Sequence, residues 1–135
     1  MKLNPDCIRT ILIWLEENQG IDARTGRPRE IISTELPKYI TEFSNEDVLY
    51  SVRQMILDGF LQARPMDVAG ADLYLVEDIM PKGHDFLGNI RSEDNWKRTK
   101  SIAGKVGAIT LDVLSTIAAK VVAEVIAKNM GELRS

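Results

Sequence analysis

The sequence predicts an α+β, mainly helical fold, with a winged helix-turn-helix domain over residues 1–91 and C-terminal amphipathic helices over residues 92–135. Three observations predict it. Capped segments with helical periodicity open the chain and recur at its centre. Two β-rich runs follow the central helix, separated by a stretch bearing proline and glycine. Residues 106–127, VGAITLDVLSTIAAKVVAEVIA, then form a long apolar helical stretch with no obvious partner in the residues before it.

Asn4-Pro5-Asp6 reads as an N-cap followed by proline at the first helical position. Cys7, Ile8, Ile11, Leu12 and Leu15 then recur at helical spacing, with Trp14 widening the face, so a helix runs over 5–18 and Gly20 ends it. Residues 20–30 read as a polar loop with three arginines, Arg24, Arg27 and Arg29, and residues 30–33 as a short strand. Thr34 is a cap for a short helix reaching Ile40, where Pro37 falls in the first turn. Ser44-Asn45-Glu46-Asp47 resembles a capping box with Asp in place of Glu, and Val48, Val52, Met55 and Ile56 follow at helical spacing until Asp58-Gly59.

Residues 60–64 and 73–77 read as antiparallel strands joined by a long tip, PMDVAGAD, that contains Pro65 and Gly70. Met80-Pro81 begins a helix with Phe86, Leu87 and Ile90 on its apolar side. Ser92-Glu93-Asp94-Asn95 is a polar break before a basic helix starting near Trp96 and carrying Lys97, Arg98, Lys100 and Lys105. Gly104 and Gly107 mark a bend.

At 135 residues and 44% apolar content the chain has room for one core and an appendage. Its single cysteine, Cys7, excludes an internal disulfide and reads as a buried, reduced thiol of a cytoplasmic protein. Asn4, Pro5, Asp6 and Arg9 break any early apolar run, so no signal peptide is expected. Net charge is uneven. Residues 1–91 carry 10 Lys and Arg against 15 Asp and Glu, net −5, and residues 92–135 carry 7 against 5, net +2. An acidic main domain is poorly matched to a phosphate backbone.

On a helix, Leu111, Leu114, Ile117, Ala118, Val121, Val122 and Val125 gather on one side of the closing stretch, and Asp112, Thr116, Lys120 and Glu124 on the other. Three charges inside the stretch argue against a membrane span. The aliphatic face either packs on its own domain or meets a second copy. A small winged domain closes its own core, so the expected partner is a copy, in a dimer or larger homo-oligomer.

Recognisable chemistry is missing. Gly104-Lys105 would need glycine at Thr99 and Ser or Thr at Val106 to make a phosphate-binding loop. His84 has no neighbouring nucleophile, and one histidine with one cysteine cannot build a four-ligand zinc site, so no cofactor is expected. In a helix-turn-helix, the 44–58 helix would present Asn45, Tyr50, Ser51, Arg53 and Gln54 to bases, with Arg64 in the wing and the arginines of the loop as helpers. Glu46 and Asp47 stand at the end that would enter the groove, where they would face phosphates.

The opening MKLNPDCIRTILIWLEEN, the central SNEDVLYSVRQMILDGFL and the run MPKGHDFLGNIRSEDNWKRTK resemble a family of small proteins of unknown function found in bacteria, phages and prophages. Gly83-His84, Phe86-Leu87, Ile90-Arg91 and Trp96 carry the most specific part of the resemblance, and Ser51 departs from it, since the family tends to have histidine there. The resemblance implies a winged-helix-like fold and a mobile-element origin, with no catalytic residues to carry over. The expected function is therefore a non-enzymatic phage or prophage interaction protein. It would oligomerise through its last helix and bind a host or phage protein, for instance to blunt a host defence. The alternative is a winged-helix DNA-binding transcriptional regulator.

Overall fold

A computed structural model describes residues 1–107 and 109–134. Ala108, inside the long apolar stretch, and Ser135 lie outside the described residues. The fold is α+β and divides into two units, Met1–His84 and Asp85–Ser135.

The first unit begins with α1 (Pro5–Asn18), capped by Asn4, whose side chain accepts from the Cys7 backbone N–H at 3.1 Å. Cys7, Ile8, Ile11, Leu12 and Leu15 are buried on its inner face. Gly20, with φ +60°, turns the chain away. The arginine-bearing stretch is not an irregular loop: β1 (Ile21–Asp22) and β2 (Arg27–Pro28) form an antiparallel hairpin. Asp22 makes it possible. Its Oδ1 accepts from Arg24 N and its carbonyl accepts from Gly26 N, while Gly26 supplies the positive φ.

After β3 (Ile31–Ile32) a 3₁₀ turn over Ser33–Glu35 leads into α2 (Leu36–Tyr39). Thr34 lies within that turn and does not cap the helix, which has no side-chain cap. Ser33 is the structuring hydroxyl instead, accepting from Tyr74 N at 3.1 Å.

Helix α3 (Asn45–Leu57) starts where Ser44 Oγ accepts from Asp47 N. The Asp47 carboxylate accepts from Asn4 Nδ2 at 3.3 Å, which ties the starts of α1 and α3 together. The helix ends in a Schellman turn. Phe60 N–H donates to Met55 O, Gly59 N–H donates to Ile56 O, and Gly59 takes φ +80°.

The expected long tip between the next strands is absent. β4 (Leu61–Val68) and β5 (Ala71–Ile79) pair down to Val68↔Ala71, leaving a two-residue turn in which Gly70 has positive φ. Pro65 sits inside the ladder opposite Tyr74, which is tolerated because β4 is an edge strand in the order β3-β5-β4. The core of this unit joins Ile8, Ile11, Leu12 and Leu15 of α1 with Val48, Val52 and Met55 of α3, and Val76 and Ile79 of β5, all buried. Burial of side chains this size stabilises by roughly 1.5–3 kcal/mol each before entropy is charged.

Helix α4 (Pro81–Ile90) opens on proline, as expected. In the second unit, α5 (Glu93–Val106) begins three residues before Trp96, because Ser92 caps it by accepting from Asn95 N. Gly104 lies inside α5, and Gly107, at φ +80°, ends the helix. Thr110 then starts α6 (Leu111–Arg134) by accepting from Val113 N. Helix α6 folds back on α5, so the long apolar stretch does have a partner in the residues before it. Trp96, Thr99 and Ala103 of α5, and Leu111, Leu114, Ala118 and Val121 of α6, are buried at knob-like 3–4 spacing. An Arg98–Glu124 ion pair spans the two helices.

Candidate interaction site

Cys7 is buried, and that burial pushes its thiol above the ordinary 9.0, with only partial relief from the neighbouring Ser51 hydroxyl. His84 is exposed at the rim of a small pocket of about 170 Å³ that also holds Glu16, Gln19 and Asp78. Among the described residues no group of three or more His, Cys, Asp or Glu side chains could hold a metal ion. Gly104 and Lys105 lie on a regular helix, which lacks the looping backbone amides that cradle phosphate.

The face of α3 and the wing brings some of the expected contact residues together and removes others. Ser51 is fully buried and cannot read a base. Tyr50 and Gln54 are half-buried, whereas Asn45, Glu46, Leu49, Arg53 and Leu57 are exposed. Beside α3 lies a pocket of about 340 Å³, lined by Leu49, Tyr50 and Tyr74 with Glu46, Arg53 and Asp72 at its edge. Arg53 is paired with Asp72 of β5 at 3.1 Å, and Arg64 makes a two-pronged contact with Glu30 at 3.0 and 3.2 Å. Both arginines that would reach phosphate are engaged by carboxylates.

A second concave surface lies at the C-terminal end of α1, and sequence periodicity does not reveal it. Trp14 stacks on Tyr39 of α2 with ring centroids 4.9 Å apart and an interplanar angle of 21°. The cleft beside them encloses about 560 Å³ and is lined by Asn18, Gln19, Arg29, Glu30, Ile31, Ile32 and Glu35 as well as the two rings. Gln19, almost fully buried, donates from Nε2 towards the carbonyls of Arg29 (2.8 Å), Glu77 (3.1 Å) and Val76 (3.3 Å). Arg29 N–H in turn donates to Gly20 O at 3.1 Å. The Arg29 backbone is thus held at both ends. Of the three hairpin arginines, Arg24 is bonded to Asp22 and lowers that carboxyl below its ordinary 3.8, first through its backbone N–H and then through its guanidinium. Arg27 and Arg29 are exposed, and Arg29 alone lines the cleft.

Comparison with known families supplies the remaining finding. A family model described as a hypothetical protein, DUF2513, matches residues 2–109. The chain belongs to the DUF2513 family. No curated protein and no solved structure matches it. The DUF2513 match takes in both concave surfaces and the whole of α1 to α5. It also takes in the block from Gly83 to Trp96, whose Phe86, Leu87, Ile90 and Trp96 are buried.

Helix α6 lies beyond the DUF2513 match. Of the seven residues expected to meet a second copy, Leu111, Leu114, Ala118 and Val121 are buried within the single chain, and Ile117, Val122 and Val125 are half-buried. The exposed apolar residues of α6 come later, at Ile126, Met130 and Leu133. No helix among the described residues is long and apolar enough to cross a membrane.

Proposed function

We propose that this DUF2513 protein is a non-enzymatic interaction protein of a phage or prophage, built on a winged-helix module, that binds a host or phage protein. The order α1, β3, α2, α3, β4, β5 with strand order β3-β5-β4 supports the winged reading. The observation that carries the choice of partner is the engagement of Arg53 by Asp72 and of Arg64 by Glu30. A duplex would have to break both pairs, and would also meet Glu46 and Asp47 in the first turn of α3. The exposed residues on that helix, Leu49 and Leu57 among them, suit a protein surface better than a phosphate backbone.

The test is a mobility shift of random duplex DNA by the full chain at low salt. The interaction reading expects no shift. A salt-sensitive shift, weakened by Arg53→Ala, establishes the DNA-binding regulator in its place.

The protein self-associates, in this proposal, through the distal part of α6. That helix has 24 residues against 14 in α5, an excess of ~15 Å at 1.5 Å per residue. Ile126, Met130 and Leu133, spaced for a single stripe, stand on the excess. Light scattering on the full chain and on Ile126→Glu/Met130→Glu should give a dimer or larger against a monomer. Two monomers remove the oligomer.

A further inference from the structure

We propose that the Trp14–Tyr39–Arg29 cleft is the docking site for an acidic segment of the partner protein, one that places an apolar side chain against the rings and a carboxylate on Arg29. The inference rests on the protein-interaction reading and gives it a surface and a chemistry.

Charge within the cleft decides the occupant. Glu30 is bonded to Arg64, and Glu35 to Lys38 at 2.8 Å. Asp22, which senses Arg29 electrostatically, directs its oxygens to Arg24. Among the described residues, no hydrogen bond or ion pair engages the Arg29 guanidinium. Its charge is the uncompensated one in the cleft, although the unit around it is acidic. A carboxylate is the complementary group, and the planar guanidinium takes it bidentately.

Placement supports the same occupant. The Arg29 backbone is fixed by Gln19 and Gly20, and its Nη1 comes within 2.6 Å of where a Cβ on Gly20 would stand. With the backbone fixed, only the side-chain rotamers remain to be ordered on binding. Trp, Tyr and Arg on one concave surface is the composition of an interface anchor point. Ile31 and Ile32 extend the apolar lining. Single-stranded nucleic acid also stacks on rings beside arginine, but it needs a run of cations to follow its backbone, and Arg29 is the one cation among the residues lining the cleft.

The probes are the blocked hexapeptides (Asp-Phe)₃ and (Lys-Phe)₃ and an oligothymidine, titrated into the full chain with the Trp14 indole N–H resonance as the readout. The expected result is saturable binding of (Asp-Phe)₃ in the millimolar range, weakened about tenfold in Arg29→Ala and unchanged in Arg53→Ala. The Arg29→Ala chain keeps its fold, because Arg29 is held through backbone atoms, and an unaltered amide spectrum checks this. No saturation by about 5 mM peptide, equal binding of (Lys-Phe)₃, equal binding by Arg29→Ala, or preference for oligothymidine overturns the site. The protein-interaction reading falls separately, by the duplex mobility shift.

Discussion

Gln19 Nε2 lies 2.8 Å from the carbonyl oxygen of Arg29, and the same amide reaches the carbonyls of Val76 and Glu77. One side chain therefore links the end of α1, the arginine hairpin and the central strand β5. Gln19→Ala removes the donor these carbonyls share, the bond to Val76 O being fully buried, at a cost of about 1–3 kcal/mol for an unmade buried bond. Gln19→Glu should cost more, since a carboxylate brings three carbonyls no N–H and adds a buried charge. Urea denaturation checks both. Equal stability of wild type and Gln19→Ala would show that water replaces the amide at no cost.

Gly83 and Gly88 occupy the same helix, yet alanine should act oppositely at the two positions. A Cβ on Gly83 would stand 2.4 Å from the backbone oxygen of Phe60 and 2.9 Å from the Ile79 side chain. A backbone atom cannot swing aside, so Gly83→Ala is expected to destabilise by about 1–3 kcal/mol through overpacking. A Cβ on Gly88 meets nothing within 4 Å. There alanine gains about 0.5–1 kcal/mol from helix propensity alone. Thermal melts of the two variants should move in opposite directions, and a shared direction would refute the close-approach account.

Ser51 is fully buried on α3, and its hydroxyl has no hydrogen bond of normal geometry, although the Cys7 thiol is a neighbour. An unsatisfied buried hydroxyl is a net cost. Ser51→Ala is therefore expected to leave stability unchanged or to raise it by ~1 kcal/mol, read from the urea midpoint. A loss above about 1 kcal/mol would mean that the hydroxyl is bonded after all.

The elements marked by side-chain chemistry were legible in the sequence, and those made by tertiary pairing were not. Asn4, Ser44 and Ser92 each accept the backbone N–H that a capping residue should, so the starts of α1, α3 and α5 follow from local bonds. Pro65 misled, because a proline is a break in a central strand but not in an edge strand, and edge status is a property of the whole sheet. The β1–β2 hairpin has two residues per strand, too few for any alternation to register.

The cleft was harder still to foresee. Trp14 lies on the margin of the apolar face of α1, and Tyr39 closes a four-residue helix. Nothing local brings them within stacking distance. The one available signal was a tryptophan at the edge of the apolar face rather than at its centre. On α6 the periodicity identified the apolar face correctly, but periodicity does not say whose surface covers it, and α5 of the same chain covers the first half.

Asp22 provides a pH-dependent probe of the arginine hairpin. Its carboxyl is held below its ordinary 3.8 by the Arg24 backbone N–H first and the Arg24 guanidinium second. A carboxylate with a depressed folded-state pKa contributes stability that is present above the unfolded value and is lost as pH falls through the folded value. The hairpin should therefore be intact at neutral pH and should loosen only at pH values below 3.8. In an NMR titration the Arg24 amide is expected to shift with a midpoint below 3.8, and exchange of the Gly26 amide, which donates to Asp22 O, should quicken over the same interval. Asp22→Asn keeps an acceptor for the Arg24 N–H and removes the charge, so it should abolish the titration while leaving the turn in place. A midpoint at or above 3.8 in the wild-type chain would show that Arg24 does not hold the carboxylate in solution.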